Sequence, residues 1–94
     1  MVEIEWSSIA QNDLNKIIDY IAQDSLEYAL LFYEQVREKV ENLTKFPKMG
    51  RKVPELDDPN IRELILRNYR LIYQILGEKI QIVRLIHGSR ILDF

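Results

Sequence analysis

The sequence predicts an α+β fold in which a helical hairpin packs on one face of a mainly antiparallel sheet. The first half of the chain spaces its apolar residues as a helix does, and the second half is rich in β-branched and aromatic residues between turn signals. A helical hairpin must bury its apolar stripe, and the sheet is the surface available to it. The 94 residues, 47% of them hydrophobic, suit one core, so we expect one domain over residues 1–94 with the order β-α-α-β-β-β.

The first strand and helix are marked by a change in apolar period. Met1–Trp6 alternates apolar and acidic residues, which indicates a half-buried strand. Ser8 and Gln11 have the spacing of a capping box, so we expect a helix to begin there. Its apolar residues recur at helical spacing up to Ile21, and Asp24 is the predicted cap of a second helix.

The second helix continues the helical spacing and is predicted to end at Phe46-Pro47, because a residue before proline avoids the α region. The short link between the helices predicts an antiparallel hairpin. Residues 47–60 hold all three prolines and show no regular period, so we expect a loop. A loop of this length is long for a compact domain, which favours a functional role.

Three strands are expected in the second half, at Ile61–Leu66, Tyr69–Leu76 and Lys79–His87. Gly77-Glu78 places glycine where a type II′ hairpin turn requires it. The Arg67-Asn68 turn is a weaker signal, because asparagine tolerates positive φ better than arginine does.

The two turns also assign side chains to the faces of the sheet, since directly opposed residues point to the same side. The outer face, away from the helices, then carries Glu63, Arg70 and His87. Arg84 and Ile86 fall on the core face, where Arg84 is expected to pair with a helix acid or to extend towards solvent. The outer face is apolar enough to indicate a covering partner. Its apolar residues are Ile61, Ile65, Ile72, Val83 and Leu85.

Short sequence pieces run through nearly the whole chain in a characteristic order. They are Trp6-Ser7-x-x-Ala10-x-x-Asp13-Leu14, Ala29-x-x-Phe32, Leu43-x-x-Phe46-Pro47-x-x-Gly50-Arg51, Arg62-Glu63-Leu64, Tyr69-Arg70-x-x-Tyr73 and His87-Gly88-x-Arg90. In order and spacing they resemble the RelE/ParE superfamily of toxins of type II toxin–antitoxin systems. The Phe-Pro-x-x-Gly-Arg and Arg-Glu-Leu pieces are most similar to the ParE and plasmid-stabilisation branch. The resemblance implies a toxin that stops growth and is neutralised by a cognate antitoxin protein.

The resemblance leaves the target open between two activities. ParE-like members poison DNA gyrase, whereas RelE-like members cleave messenger RNA, usually on the ribosome. For cleavage, the resemblance implies Glu63 as base, Arg70 on the phosphate and His87 as acid. The residues that would contact nucleic acid or another target are Arg51, Lys52, Arg62 and Arg90. A third alternative is a scaffold that binds an antitoxin and is not toxic.

Three features weigh against RNA cleavage. The isoelectric point is near 5.4, whereas the ribosome-dependent relatives are strongly basic because phosphate neutralisation supplies affinity. A tyrosine near the C-terminus often supports catalysis in those relatives, and this chain ends in Phe94. Glu63 and Arg70 also have a structural alternative as a cross-strand ion pair. Gyrase poisoning is therefore the favoured hypothesis.

Charge and composition bear on partners and location. Residues 1–46 hold nine acids and four bases (−5) and residues 47–94 six acids and nine bases (+3), which indicates two differently used faces. The residues predicted to contact the antitoxin are Leu30, Leu31, Ile72 and Leu85. Without cysteines or a ligand cluster, we expect no metal and no small-molecule cofactor. The acidic N-terminus and the lack of a long apolar run predict a cytoplasmic protein with no membrane contact.

Overall fold

The computed structural model describes residues 2–90, and its elements follow the predicted order with one short strand added. The elements are β1 (Glu3–Trp6), α1 (Ser8–Asp24), α2 (Leu26–Asn42), β2 (Arg51–Lys52), β3 (Ile61–Leu66), β4 (Tyr69–Leu76) and β5 (Lys79–His87). The sheet has the order β1-β5-β4-β3-β2, with β1 parallel to β5 and the other pairs antiparallel. The predicted α+β fold, with a helical hairpin on a mainly antiparallel sheet, is confirmed.

Each helix begins after a serine whose hydroxyl caps its first turn. The Oγ atoms of Ser7 and Ser25 accept hydrogen bonds from the backbone N–H three residues ahead, at 3.0 and 3.1 Å. The predicted caps, Ser8 and Asp24, are therefore each one residue away from the observed ones. Ser7 also donates to the carbonyl of Val83 on β5 at 3.1 Å, which ties the start of α1 to the sheet.

The main core lies between the helices and one face of the sheet. Its fully buried side chains include Phe32 of α2 and Tyr73 of β4, and burying each large apolar side chain stabilises the fold by roughly 1.5–3 kcal/mol. At the margin of this core, Arg84 of β5 pairs with Asp13 of α1 at 2.8 Å. The predicted pairing of Arg84 with a helix acid is confirmed.

The β4–β5 register agrees with the prediction only near the turn. Leu76 lies opposite Lys79, and Gly77 has the positive φ, 62°, that a type II′ turn needs. Between Ile72 and Tyr73 the register shifts by one residue. A β-bulge inserts an extra residue into one strand, and here that strand is β5.

The bulge reverses the predicted faces of the last residues of β5, because successive strand residues point to opposite sides. Leu85 lies in the core beneath the helices, not on the outer face. Ile86 pairs with Arg70 on the outer face, and His87 pairs with Tyr69 on the helix-facing side. The predicted faces of Leu85, Ile86 and His87 are therefore wrong.

The part of the outer face around Ile72 is covered by the chain itself, through the segment 53–60 between β2 and β3, named here the covering segment; Ile65 on the same face remains 53% exposed. Val53 is 1% exposed and packs against Ile72 and Ile86, which are 0% and 4% exposed. The expectation that a partner covers the outer face is therefore wrong at Ile72. The partly buried side chains at the margin of this second core are Leu56, Ile61 and Val83.

The Arg67-Asn68 turn forms with the predicted register between β3 and β4. Arg67, not Asn68, adopts the positive φ, 55°, contrary to expectation. Two residues of α2 hold its guanidinium: Gln35 accepts a hydrogen bond at 3.0 Å, and the Tyr28 ring lies 5.5 Å away. These contacts offset the backbone cost of the left-handed conformation.

Candidate functional site

Four charged side chains form an ion-paired cluster on the outer face, named here the ion cluster: Arg51, Glu55, Glu63 and Arg70. The Glu63 side chain is fully buried and accepts hydrogen bonds from Arg70 Nε at 2.8 Å and from Arg51 Nε at 2.6 Å. Arg70 donates Nη1 and Nη2 to the Glu55 carboxylate, each at 2.7 Å. Two carboxylates and two guanidinium groups balance the charge.

The sheet register and the covering segment together assemble the ion cluster. Glu63 on β3 and Arg70 on β4 both point to the outer face, where diagonal neighbours on adjacent strands come within reach of long side chains. Strand β2 places Arg51 directly opposite Glu63. Glu55 comes from the covering segment, so its contact with Arg70 fastens that segment to the sheet.

Arg70 is the centre of the ion cluster. Its hydrogen bonds with Glu55, and then those with Glu63, outweigh desolvation and raise the pKa of Arg70 above its usual value. Arg70 Nη1 also donates to the carbonyl of Arg90 at 3.0 Å, which anchors the chain beyond β5. Because Glu63 and Arg70 are buried, removing either side chain would leave the other as an uncompensated buried charge. The ion cluster therefore stabilises the fold.

The polar atoms of Glu63 and Arg70 are all engaged with other side chains in this structure. A general base must reach the proton that it abstracts, directly or through one water. Both Glu63 oxygens accept hydrogen bonds from arginines, and each Arg70 nitrogen contacts a carboxylate. Their predicted alternative, a cross-strand ion pair, is the arrangement observed, but the pair is buried and not exposed as expected.

His87 lies on the opposite side of the sheet from the ion cluster. Its ring centroid is 5.7 Å from that of Tyr69, which itself packs on α2. Its Nδ1 accepts a hydrogen bond from the Ser89 N–H at 3.1 Å and lies 2.7 Å from Ser89 Oγ. Because of the β-bulge, the predicted catalytic set with Glu63 and Arg70 is not assembled on one face.

The four basic residues predicted to contact a target differ in how far their side chains are exposed and already bound within the protein. The Arg51 side chain is 61% exposed although its Nε is bound in the ion cluster. Lys52 is exposed, with an acidic neighbour at 3.7 Å. Arg62 donates to two backbone carbonyls at 2.9 Å, which gives it a local structural role. Arg90 is exposed, and only its carbonyl is bound to the ion cluster.

The backbone of the Phe-Pro-x-x-Gly-Arg piece is held in place by hydrogen bonds to the Tyr73 hydroxyl. That hydroxyl accepts a hydrogen bond from the Gly50 N–H at 3.0 Å and donates to the Pro47 carbonyl at 2.7 Å. A Cβ on Gly50 would lie 2.6 Å from the Glu63 carbonyl oxygen, so this position accepts only glycine without a shift. Burial raises the pKa of Tyr73 above its usual value. Sequence patterning did not reveal these contacts.

The predicted antitoxin contacts divide into exposed and buried residues. Leu30 and Leu31 on α2 are 58% and 44% exposed, as a contact surface requires. Ile72 and Leu85 are 0% and 2% exposed. Their prediction as contact residues is wrong, because one lies under the covering segment and the other in the main core.

Within residues 2–90, no three histidine or acidic side chains come together as a metal site would require. No helix in the same range combines the length and apolarity needed to cross a bilayer.

The family of the chain is decided by comparison with known proteins. The sequence profile described as "ParE toxin of type II toxin-antitoxin system, parDE" matches residues 4–92. The chain belongs to the ParE toxin family. The matched span contains both helices and strands β2 to β5. The ion cluster and the Tyr73 contacts of this ParE protein therefore lie within the span that the family profile matches.

Solved structures place this ParE-family chain among proteins of related fold. It is similar to a protein of the chromosomal ParDE toxin–antitoxin system from P. aeruginosa, with 27% identity over 95% of this chain and 98% of that chain, at a TM-score of 0.76.

Two E. coli structures share the fold at lower identity. The isolated RelE toxin is 17% identical over 97% of this chain and 88% of that one, with a TM-score of 0.68. A chain of the intact RelBE toxin–antitoxin complex is 16% identical over 96% of this chain and 100% of that one, with a TM-score of 0.67. No curated protein sequence matches this ParE chain.

Proposed function

We propose that this ParE-family protein is a toxin that stops growth by binding DNA gyrase, and that a cognate antitoxin neutralises it. The observation that carries the proposal is the ion cluster. Glu63 and Arg70, the residues that would serve as base and phosphate ligand in RNA cleavage, bind each other and their neighbours instead. His87 faces the other side of the sheet. Inhibition by binding needs a shaped surface and no free acid or base.

The similarity data support the same assignment. The family profile that matches is that of ParE toxins, and the P. aeruginosa protein of the ParDE system shares 27% of its residues with this chain. The acidic isoelectric point of 5.4 also favours a protein target over bare RNA, whose phosphates attract basic proteins.

An antitoxin is the proposed partner of the exposed apolar residues on α2. Leu30 and Leu31 lie near other exposed apolar side chains of the same helix, Leu26 and Tyr28, which are 67% and 57% exposed. Apolar surface of this kind on a small protein marks an interaction site. The solved P. aeruginosa ParDE and E. coli RelBE proteins are toxin–antitoxin pairs by description, which supports a partner of the same class here.

Induced expression in cells tests the proposal. We expect growth arrest, altered supercoiling of a reporter plasmid and no new transcript ends by primer extension. His87→Ala should leave the arrest unchanged, because that residue is outside the proposed mechanism. Transcript cleavage that depends on His87 would overturn the proposal in favour of an endoribonuclease. Normal growth at full expression would overturn it in favour of a scaffold that is not toxic.

A further inference from the structure

An apolar depression lies beyond the end of the helix layer, apart from Leu30 and Leu31. Helix α2 ends at Asn42, short of the predicted stop, and the chain then turns across the end of β4. The depression is open to solvent, and its lining is almost wholly apolar. The lining residues are Phe46, Pro47, Lys48, Met49 and Ile75.

The depression is formed before any partner arrives. The Tyr73 hydroxyl bonds to the Pro47 carbonyl and the Gly50 N–H, so both ends of the lining loop are held to β4. Phe46 and Met49 are nevertheless 64% and 42% exposed, which leaves large apolar side chains facing water. A surface that is already ordered binds a partner with little entropy cost.

Positive charge is concentrated in the stretch of chain that forms the depression. Residues 42–54 contain four bases and no acid. Arg51 and Lys52 have acidic neighbours, whereas Lys45 and Lys48 have no ion-pair partner among residues 2–90. An occupant that suits this site brings an apolar side chain together with negative charge, because complementary charge fixes register and speeds association.

We propose that the depression receives an apolar side chain flanked by acidic residues and carried by the antitoxin. It is a second contact site, separate from the α2 surface, and it rests on the proposed antitoxin partner. Met49 and Phe46 supply the apolar contact, and a flexible methionine adapts to the shape of the inserted side chain. Lys45 and Lys48 pair with the flanking carboxylates.

The apolar part is tested by isothermal titration calorimetry with the purified cognate antitoxin proposed above. We expect Met49→Glu and Phe46→Ser each to weaken binding about tenfold or more, as loss of a central apolar contact does. Ile9→Ser is the matched control, since Ile9 is 58% exposed on α1 and lies outside the depression. Its affinity should stay near that of the unaltered protein, and thermal unfolding checks that every variant is folded.

The charged part is tested with Lys45→Glu/Lys48→Glu. We expect weaker binding and a smaller loss of affinity between low and high salt, because two screened attractions have been removed. Mass spectrometry adds a direct measure of occupancy. Peroxide should convert Met49 to its sulfoxide in the free toxin and much more slowly in the complex.

The outcomes separate this inference from the proposed function. If the unaltered toxin binds the antitoxin and the Met49, Phe46 and lysine variants bind equally well, the second contact site is wrong and the antitoxin partner stands. If the unaltered toxin does not bind the antitoxin, both are wrong. If Met49→Glu abolishes self-association of the toxin and leaves antitoxin binding unchanged, the occupant is a second copy and the inference is overturned.

Discussion

Glu63 Oε1 lies 2.6 Å from Arg70 Nη2 in a pair that is almost completely buried beneath the covering segment. Arg51 and Glu55 complete the balance of charge around it. The Arg-Glu-Leu and Tyr-Arg-x-x-Tyr pieces of the ParE pattern therefore have a structural role in this protein. They hold the loop between β2 and β3 against the sheet.

Breaking the buried pair should destabilise the fold. Glu63→Gln removes the charge that compensates Arg51 and Arg70, and we expect the free energy of unfolding to fall by about 3 kcal/mol. Urea denaturation measures the change. Lys79→Ala is the control, because its ion pair with Glu5 is exposed and should matter little. A loss of less than about 1 kcal/mol for Glu63→Gln would contradict a structural role for the ion cluster.

The close approach at Gly50 should make alanine costly there. A Cβ would lie 2.6 Å from the Glu63 carbonyl oxygen and 2.7 Å from the Tyr73 hydroxyl, so we expect Gly50→Ala to cost about 2–3 kcal/mol through overpacking. Gly77→Ala is the comparison, since a Cβ there meets open space. The only cost of that substitution is an alanine in the left-handed conformation, about 1 kcal/mol. Thermal unfolding ranks the two, and equal effects would show that the loop yields at Gly50.

Alkaline titration should reveal the raised pKa of the buried Tyr73 hydroxyl. Burial raises its folded-state pKa above the ordinary 10.0, so the unfolded chain loses this proton first. Stability is then unaffected below about pH 10 and falls as the pH rises through the folded pKa. Ultraviolet absorbance should show a late-titrating tyrosine that is absent in Tyr73→Phe. A titration curve that this substitution leaves unchanged in shape would refute the assignment.

The observed cap of α1 predicts a difference between neighbouring serines. Ser7→Ala removes the hydrogen bond to the first turn and the bond to the Val83 carbonyl, and should cost about 1–2 kcal/mol. Ser8→Ala should have little effect, because Ser8 is exposed and is not the cap. Urea denaturation of the two variants decides between the observed cap and the one that spacing alone suggests. A larger loss for Ser8→Ala would favour the latter.

The order of the main elements and the turn at Gly77 were predictable because local chemistry determines them. Apolar period distinguishes helix from strand, and glycine at a positive φ sets the β4–β5 register beside the turn. The Glu63–Arg70 pair followed from the β3–β4 register, which the sequence placed correctly. The family pieces also predicted the ParE assignment.

The β-bulge in β5 and the covering segment were not predictable in the same way. A bulge has no strong residue signature, and one extra residue reversed the faces of Leu85, Ile86 and His87. Glu55 lies in the proline-containing loop, where no apolar period indicates which way its side chain points. One signal was available: Val53 and Leu56 are apolar residues in a polar loop, opposite an outer face that needed cover.

Purified components distinguish inhibition of gyrase by binding from cleavage of RNA. Gyrase and relaxed plasmid are incubated with the toxin, and a defined messenger RNA, both free and bound to ribosomes, is incubated with the same toxin sample. We expect supercoiling to be inhibited, the inhibition to be reversed by the antitoxin, and the RNA to remain intact. Intact gyrase activity together with RNA cleavage that His87→Ala removes would show that the protein is an endoribonuclease and not a gyrase inhibitor.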